Sequence, residues 1–396
     1  MADHGTPRER PMPGAARATV ILAGVKTEDA QAEDPRAEAP QPDDADTVLL
    51  HIEGRTGVVT LNRPKALNAL TRPMVIRIDE ALAAWAADPA VHQVLMRGAG
   101  ERGLCAGGDI RAIHDDAKAG NTASAGFWRD EYRLNARIAR YPKPYVALMD
   151  GITMGGGVGV SAHGSVRIVT ERSRVAMPET GIGFVPDVGG TYLLGRAPGE
   201  LGTHLALTGT AVGAADALLC GLADHFVPAD RLPELTAALA GAPAREVLPR
   251  YAATPGPGEL ADRRGWIDHC YAAATVEEIV ERLLGQGEPA AEEAAETILA
   301  KSPTALKVTL AALRRAAELG PLERVLAQEF RVSCNGLTAP DLVEGIRAQV
   351  VDKDRDPHWS PATLAEVTDA DVERFFAPLG GDRELRLPPP QDLGRG

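Results

Sequence analysis

The chain has 396 residues, enough for two or three domains or for one large α/β core with an appendage. Its 42 basic residues against 55 acidic ones leave a net charge of −13, which excludes a nucleic-acid binder that relies on a basic surface. Four scattered cysteines, Cys105, Cys220, Cys270 and Cys334, form no Cys-x-x-Cys pair, so a disulfide framework and a structural zinc site are excluded as well.

Residues 1–46 combine Pro, Ala, Gly and acid without an aromatic residue, and residues 28–46 alone hold eight acids against Arg36. Such a composition buries too little apolar area to offset the entropy of ordering, so a disordered acidic arm is expected there. It is rich in acid and lacks serine, unlike a transit peptide, and the short apolar run at 18–25 has no cleavage-site context. The expected location is the cytoplasm. No membrane contact is expected either, because the longest uncharged stretch, 151–166, is glycine-rich and too short to span a bilayer.

From Thr47 onward, β-rich runs at 48–53, 57–61, 92–97, 145–150 and 166–170 alternate with helical ones. Residues 72–87 carry Val75, Ile78, Leu82 and Trp85 at helical spacing and stop before Asp88-Pro89; residues 127–141 stop before Pro142. Strands alternating with helices predict an α/β core with crossover connections over 47–228. After Val227 the chain turns Ala/Leu/Glu-rich, and 229–396 is expected to be an α-helical region.

Three segments carry the chemistry. Met154-Gly155-Gly156-Gly157-Val158-Gly159 follows the 145–150 strand, and consecutive glycines allow a backbone to approach another group with its N–H groups free. A packed strand-to-helix turn is one reading. A dinucleotide fingerprint is another, since Gly157-Val158-Gly159-Val160-Ser161-Ala162 fits G-x-G-x-x-A with Glu179 downstream; it disagrees with the position of that motif at the first βα turn of a domain. A second glycine turn, Cys105-Ala106-Gly107-Gly108-Asp109, follows the 92–97 strand. Two such turns at strand ends meet the requirement of an oxyanion hole for two fixed donors aimed at one oxygen.

In the third segment, Glu179 and Asp187 stand in the run Met177–Gly190, which is otherwise apolar and bounded by Pro and Gly. Carboxylates in such surroundings have raised pKa values and serve as acid or base near neutrality; the alternative is that each caps a turn. There is no G-x-S-x-G, G-x-x-x-x-G-K-[ST] or H-E-x-x-H motif. His163 reads as a packed, hydrogen-bonded residue. The Cys105 thiol reads as a small buried hydrophobe.

Leu61-Asn62-Arg63-Pro64-Lys65-Ala66-Leu67-Asn68-Ala69-Leu70, Cys105 to Asp109, Gly155-Gly156-Gly157, Pro178-Glu179 and Gly189-Gly190, in this order and spacing, resemble the crotonase (enoyl-CoA hydratase/isomerase) superfamily over about residues 47–380. The 3-hydroxyisobutyryl-CoA hydrolase branch is most similar, through Phe127-Trp128-Arg129-Asp130-Glu131-Tyr132, Pro186-Asp187-Val188-Gly189-Gly190, Glu344-Gly345-Ile346-Arg347-Ala348 and Asp352 to Trp359.

The resemblance implies a ββα superhelix core and hydrolysis of the thioester of a short branched β-hydroxyacyl-CoA, as in valine breakdown. It implies no metal and no cofactor, CoA being part of the substrate. Glu179 and Asp187 would be catalytic, the amides of Cys105 and Gly156 would form the oxyanion hole, and Glu131 would bind the acyl end. Arg63, Lys65, Ala66, Leu67 and Lys143 would lie along CoA. Members commonly form trimers or hexamers, so a homo-oligomer is implied. A hydratase of the superfamily places a second glutamate where this chain has Gly159, and usually a glycine where it has Asp187. Enoyl-CoA hydration is the first alternative, and a non-catalytic acyl-CoA-binding protein the second.

Overall fold

Nine strands, numbered in chain order, are found in the computed structural model, which describes residues 44–387. The arm expected over residues 1–46 lies outside the described residues up to residue 43. Residues 44–47 form a 3-10 turn, and the Asn62 side chain donates to the Asp46 carbonyl at 2.8 Å. The larger sheet runs β1 (Val48–Glu53), β2 (Thr56–Leu61), β3 (Gln93–Gly98), β5 (Tyr145–Met149), β7 (Val166–Val169), β9 (His225–Phe226) in that order. Only β1 against β2 is antiparallel; β2 pairs with β3 in parallel register from Thr56 opposite Gln93 to Leu61 opposite Gly98. The smaller sheet is β4 (Gly103–Cys105), β6 (Ile152–Met154) and β8 (Arg174–Ala176), all parallel.

Alternation of side chains along the strands assigns the two faces of the larger sheet. Val94, Met96, Tyr145, Ala147 and Met149 join the main core, whereas Leu95, Val146, Leu148 and Ile168 pack on Leu235, Leu239, Val247 and Leu248 beneath the other face. On the main-core side lies α1 (Arg72–Ala87), which buries Met74, Val75, Ile78, Leu82 and Trp85, the stripe its spacing predicts. Gly57 lets the Trp85 ring close on β2: a Cβ there would stand 2.5 Å from the indole. Past α2 (Ile110–Lys118), α3 (Ala123–Ala139) lies next to α1 and begins four residues before the expected 127.

Successive strands alternate between the sheets, β3 to β4, β5 to β6, β7 to β8, so each turn of the chain is a ββα unit wound about one axis. The three short strands are not visible in the sequence, because three residues are too few for a period to show. They nevertheless set the site: the loops after β4, β6 and β8 are Ala106–Asp109, Gly155 with α4 (Gly156–Gly159), and Met177–Pro178 with the 3-10 turn Glu179–Ile182. Three loops thus leave three adjacent parallel strands at the same end. Beyond residue 228 the described residues contain no strand, and helix Leu322–Gly336 returns to pack on α3 and on α5 (Gly190–Leu194). No helix among the described residues is long and apolar enough to cross a membrane.

Candidate active site

The glycines after β6 are required by the carboxylates above them. Gly155 has φ +50°, and a Cβ built there would lie 2.8 Å from Glu179 Oε1; at Gly156 it would lie 2.6 Å from Glu131 Oε1, and at Gly157 2.3 Å from the Cys105 carbonyl. Two glutamates from distant segments therefore close on one stretch of bare backbone. The Gly155 amide is tied to the Ala176 carbonyl of β8 (3.2 Å). The Gly156 amide opens α4 and, as the first amide of a helix, has no intrahelical acceptor. It donates to nothing among the described residues.

On the neighbouring turn the free donor is Gly108. Leu70 donates to the Gly107 carbonyl (2.8 Å) and accepts from Asp109 (2.9 Å), a parallel bridge whose two bonds flank Gly108 and leave its own N–H pointing away from Leu70. The Gly107 Cβ position lies 3.8 Å from the Gly156 nitrogen, so the two turns touch. Cys105, expected to supply this donor, is placed differently: it ends β4, where its backbone is taken up by pairing with Thr153 of β6. Its thiol is fully buried and burial pushes it up to about 12, so it is the small buried hydrophobe anticipated for the side chain. Which amide of the turn is free follows from the bridge to Leu70, which no local sequence signal announces.

Three carboxylates converge on the turn. Glu131 on α3, Glu179 opening its 3-10 turn and Asp187 in the loop before α5 are 2 %, 7 % and 6 % exposed. Oε1 of Glu131 and Oε2 of Glu179 are buried without a hydrogen-bond partner, which is costly for a carboxylate and points to groups that bind there. Asp187 Oδ2 accepts from the Tyr132 hydroxyl at 2.7 Å, and that hydroxyl also contacts Ser333 Oγ at 2.8 Å. Burial pushes all three acids up: Asp187 to about 7, with the Tyr132 bond opposing the rise. Burial and then the charge of Asp187 hold Glu131 and Glu179 well above the usual carboxylate range. None of the three caps a helix or turn in place of this chemistry.

The Asp187 loop is fixed from behind. His163 Nε2–H donates to the Val188 carbonyl at 2.7 Å, and burial lowers its pKa to about 4, so it is the neutral packed histidine expected. At Gly159 a Cβ would stand 2.8 Å from Asn135 Nδ2 and 2.8 Å from Val188 Cβ. A side chain, and hence a second glutamate, could stand here only if Val188 and Asn135 moved aside.

The residues anticipated along CoA divide. Arg63 donates to the Ala69 carbonyl (2.6 Å) and to Asp109 Oδ2 (3.1 Å), stitching its loop to the Gly108 turn. The loop is fastened further by the Ala106 amide donating to the Leu67 carbonyl (3.0 Å). Lys65 and Ala66 are exposed on this loop and Leu67 is half-buried beside them. Lys143 stands elsewhere: it precedes β5, at the end opposite the glycine turn, and its ammonium is held by the Trp85 and Asp88 carbonyls at the close of α1. That is a helix C-cap, and we leave Lys143 out of the site. Among the described residues no group of His, Cys, Asp and Glu is arranged to hold a metal ion.

A model of the enoyl-CoA hydratase/isomerase family matches residues 56–376, which include every residue of this site. This chain belongs to the enoyl-CoA hydratase/isomerase family. Among its curated relatives the Gallus gallus 3-hydroxyisobutyryl-CoA hydrolase, mitochondrial, is 44 % identical over 87 % of this chain and 92 % of its own. The Homo sapiens protein of the same name is 44 % identical over 85 % and 90 %. Among solved family structures, a carnitinyl-CoA dehydratase from Mycobacterium thermoresistibile superimposes with TM-score 0.83 at 57 % identity, covering 86 % of this chain and 98 % of its own. An enoyl-CoA hydratase from Rhodobacter sphaeroides gives 0.81 at 44 % identity, over 86 % and 100 %. The ββα spiral is thus the enoyl-CoA hydratase/isomerase fold.

Proposed function

We propose that the chain hydrolyses the thioester of a short branched β-hydroxyacyl-CoA, 3-hydroxyisobutyryl-CoA first of all, to the hydroxy acid and free CoA. The observation that carries this reading is the set of three buried carboxylates over a bare glycine turn, with the place of a second hydratase glutamate closed at Gly159. The relatives named 3-hydroxyisobutyryl-CoA hydrolase support it, at 44 % identity over most of both chains. The solved structures named as a dehydratase and a hydratase raise the rival reading, enoyl-CoA hydration. Gly159 argues against that reading. A non-catalytic acyl-CoA binder would have no use for three raised-pKa acids around one carbonyl site.

In the proposed mechanism the thioester oxygen sits between the amides of Gly156 and Gly108, the two free donors of the touching turns, with Gly108 replacing Cys105. Both donors are held before charge develops, and losing one such donor costs about 100- to 1000-fold in rate. Glu179, when ionised, works on the acyl carbon, either by taking a proton from the attacking water or by attacking as a nucleophile whose anhydride water then opens. The tetrahedral centre collapses with cleavage of the C–S bond; on the general-base route the sulfur takes the proton that Glu179 drew from water, and on the nucleophilic route it leaves as thiolate and is balanced by the proton released when water later opens the anhydride. Water is consumed, and one carboxylic acid and one thiol are formed. Asp187, oriented by Tyr132, and the unpartnered Glu131 Oε1 bind the β-hydroxyl. The exposed Lys65 and Ala66, with Leu67, border the CoA chain on a loop that Arg63 holds in place.

Four free cysteines fit a reducing compartment, and we keep the cytoplasm; a homo-oligomer remains part of the proposal. Comparison of acyl chains tests the assignment. If Glu131 and Asp187 read the β-hydroxyl, kcat/KM for 3-hydroxyisobutyryl-CoA exceeds that for isobutyryl-CoA by at least about tenfold. Equal values would contradict it.

A further inference from the structure

Glu329 is a buried acid that the mechanism does not use. It projects from helix Leu322–Gly336, is 1 % exposed and, among the described residues, forms no ion pair. Its Oε2 accepts from the Gly189 amide at 2.6 Å, and its Oε1 accepts from the Thr191 amide at 2.9 Å and the Thr191 hydroxyl at 2.5 Å. Gly189 has φ +81°, and the Gly190 amide turns back to the Asp187 carbonyl at 2.6 Å, so Glu329 grips the chain at Gly189 and Thr191, where the tight turn opened by Asp187 runs into α5. A carboxylate that takes three donors is bound far more firmly than an amide of the same shape, which offers one acceptor and two N–H groups.

We propose that Glu329 is a positioning residue: it clamps the 189–191 turn so that Asp187 meets Tyr132 and the substrate, and its charge stands behind the Glu179 and Asp187 carboxylates. The part that concerns turnover rests on the thioesterase reading above. Burial raises its pKa, whereas the three donors from Gly189 and Thr191 favour the ionised form in which it acts. The titratable groups facing it are Asp187 on the turn, Glu179 on its 3-10 turn and Tyr132 on α3, with His163 behind Val188. Charged side chains on the other elements around the helix are engaged elsewhere: Arg140 of the α3 end with Glu323, Arg315 of helix Pro303–Leu319 with Glu373 of helix Asp369–Phe375. Negative charge at Glu329 raises the pKa of Glu179, so removing it eases ionisation of the site.

The test compares wild type with Glu329→Gln. Hydrogen exchange at residues 187–191 is expected to quicken by at least about tenfold in the variant, with α1 unchanged. In the thiol-release assay kcat falls by at least about tenfold at similar KM, and the acid limb of the kcat/KM profile moves to lower pH. A merely structural role would lower kcat without moving the limb. Unchanged exchange, or a profile that superimposes on wild type, overturns the proposal. Should Glu329→Gln not fold, Thr191→Val keeps the charge and removes one donor: a several-fold loss of kcat with the limb in place is expected, and an unchanged kcat refutes the clamp. Absence of thiol release by wild type would overturn the thioesterase reading instead, and the exchange data would still decide whether Glu329 clamps the turn.

Discussion

The Tyr132 hydroxyl donates to Asp187 Oδ2 at 2.7 Å, joining α3 to the loop that carries the second acid of the site. The same ring packs edge-on to Phe330 with centroids 6.1 Å apart, so the phenol is positioned by the core and not by solvent. The bond favours ionised Asp187 and opposes the effect of burial. Tyr132→Phe keeps the ring and removes the donor. The Asp187 pKa therefore rises from about 7. Stability falls by about 1–3 kcal/mol, as for a buried acceptor left unpaired. Titration of the Asp187 carboxyl by 13C NMR in wild type and Tyr132→Phe checks the sign, and an unchanged or lower pKa in the variant would contradict it.

Stability against pH follows from the same acids. The folded pKa of Asp187 is raised from 3.8 to about 7, and Glu131, Glu179 and Glu329 move in the same direction. A carboxyl whose folded pKa lies above its unfolded value stabilises the fold fully below the unfolded pKa, and this contribution is lost as pH rises through the folded pKa. These four groups thus weaken the protein between about pH 4 and pH 8. Asp187→Asn, which cannot ionise, is expected to raise the melting temperature at pH 8 relative to wild type by more than it does at pH 5. Melting curves at the two pH values test this; an equal shift at both would contradict the assignment of a raised pKa.

Gly159→Glu would restore a carboxyl group at the place where a hydratase carries one. The Cβ alone meets Asn135 Nδ2 and Val188 Cβ at 2.8 Å, so the variant is expected to lose about 1–3 kcal/mol through overpacking and to gain no hydration of crotonyl-CoA. A stable variant that hydrates crotonyl-CoA would show that the closure of this site is not what separates the two reactions.

Cys105→Ala tests whether the thiol beside the glycine turns takes part in turnover. The thiol is buried and held up to about 12, so it contributes neither a nucleophile nor a readily alkylated group at neutral pH. Turnover of the variant is expected to stay within about threefold of wild type, since no donor is removed. A loss of about 100-fold would give the buried thiol a part in turnover that its raised pKa denies it.

Much of this was legible before the structure, where a signal was long or chemically odd. The stripe Val75, Ile78, Leu82, Trp85 announced α1, and Glu179 and Asp187 stood out as acids in an apolar, Pro- and Gly-bounded run. Gly155 to Gly157 announced close approach, though not that Glu131 and Glu179 would be what approached. What the residues could not disclose were matters of distant pairing. Strands β4, β6 and β8 are defined by their neighbours more than by their three residues. Gly108 is the free donor because Leu70 bonds on both sides of it. Glu329 resembles any other helical glutamate until Gly189 and Thr191 dock on it. Lys143, which the resemblance puts along CoA, is a helix cap, since a cation's partner depends on which carbonyls fold beside it.

The central claim, thioester hydrolysis driven by Glu179, is tested most directly by two assays run together on wild type and Glu179→Gln. Thiol release from 3-hydroxyisobutyryl-CoA is followed beside loss of the double bond of crotonyl-CoA. We expect free CoA from the first substrate only, and at least about a 1000-fold fall in kcat for the variant. Loss of the double bond without thiol release, or thiol release that survives the substitution, would contradict the account.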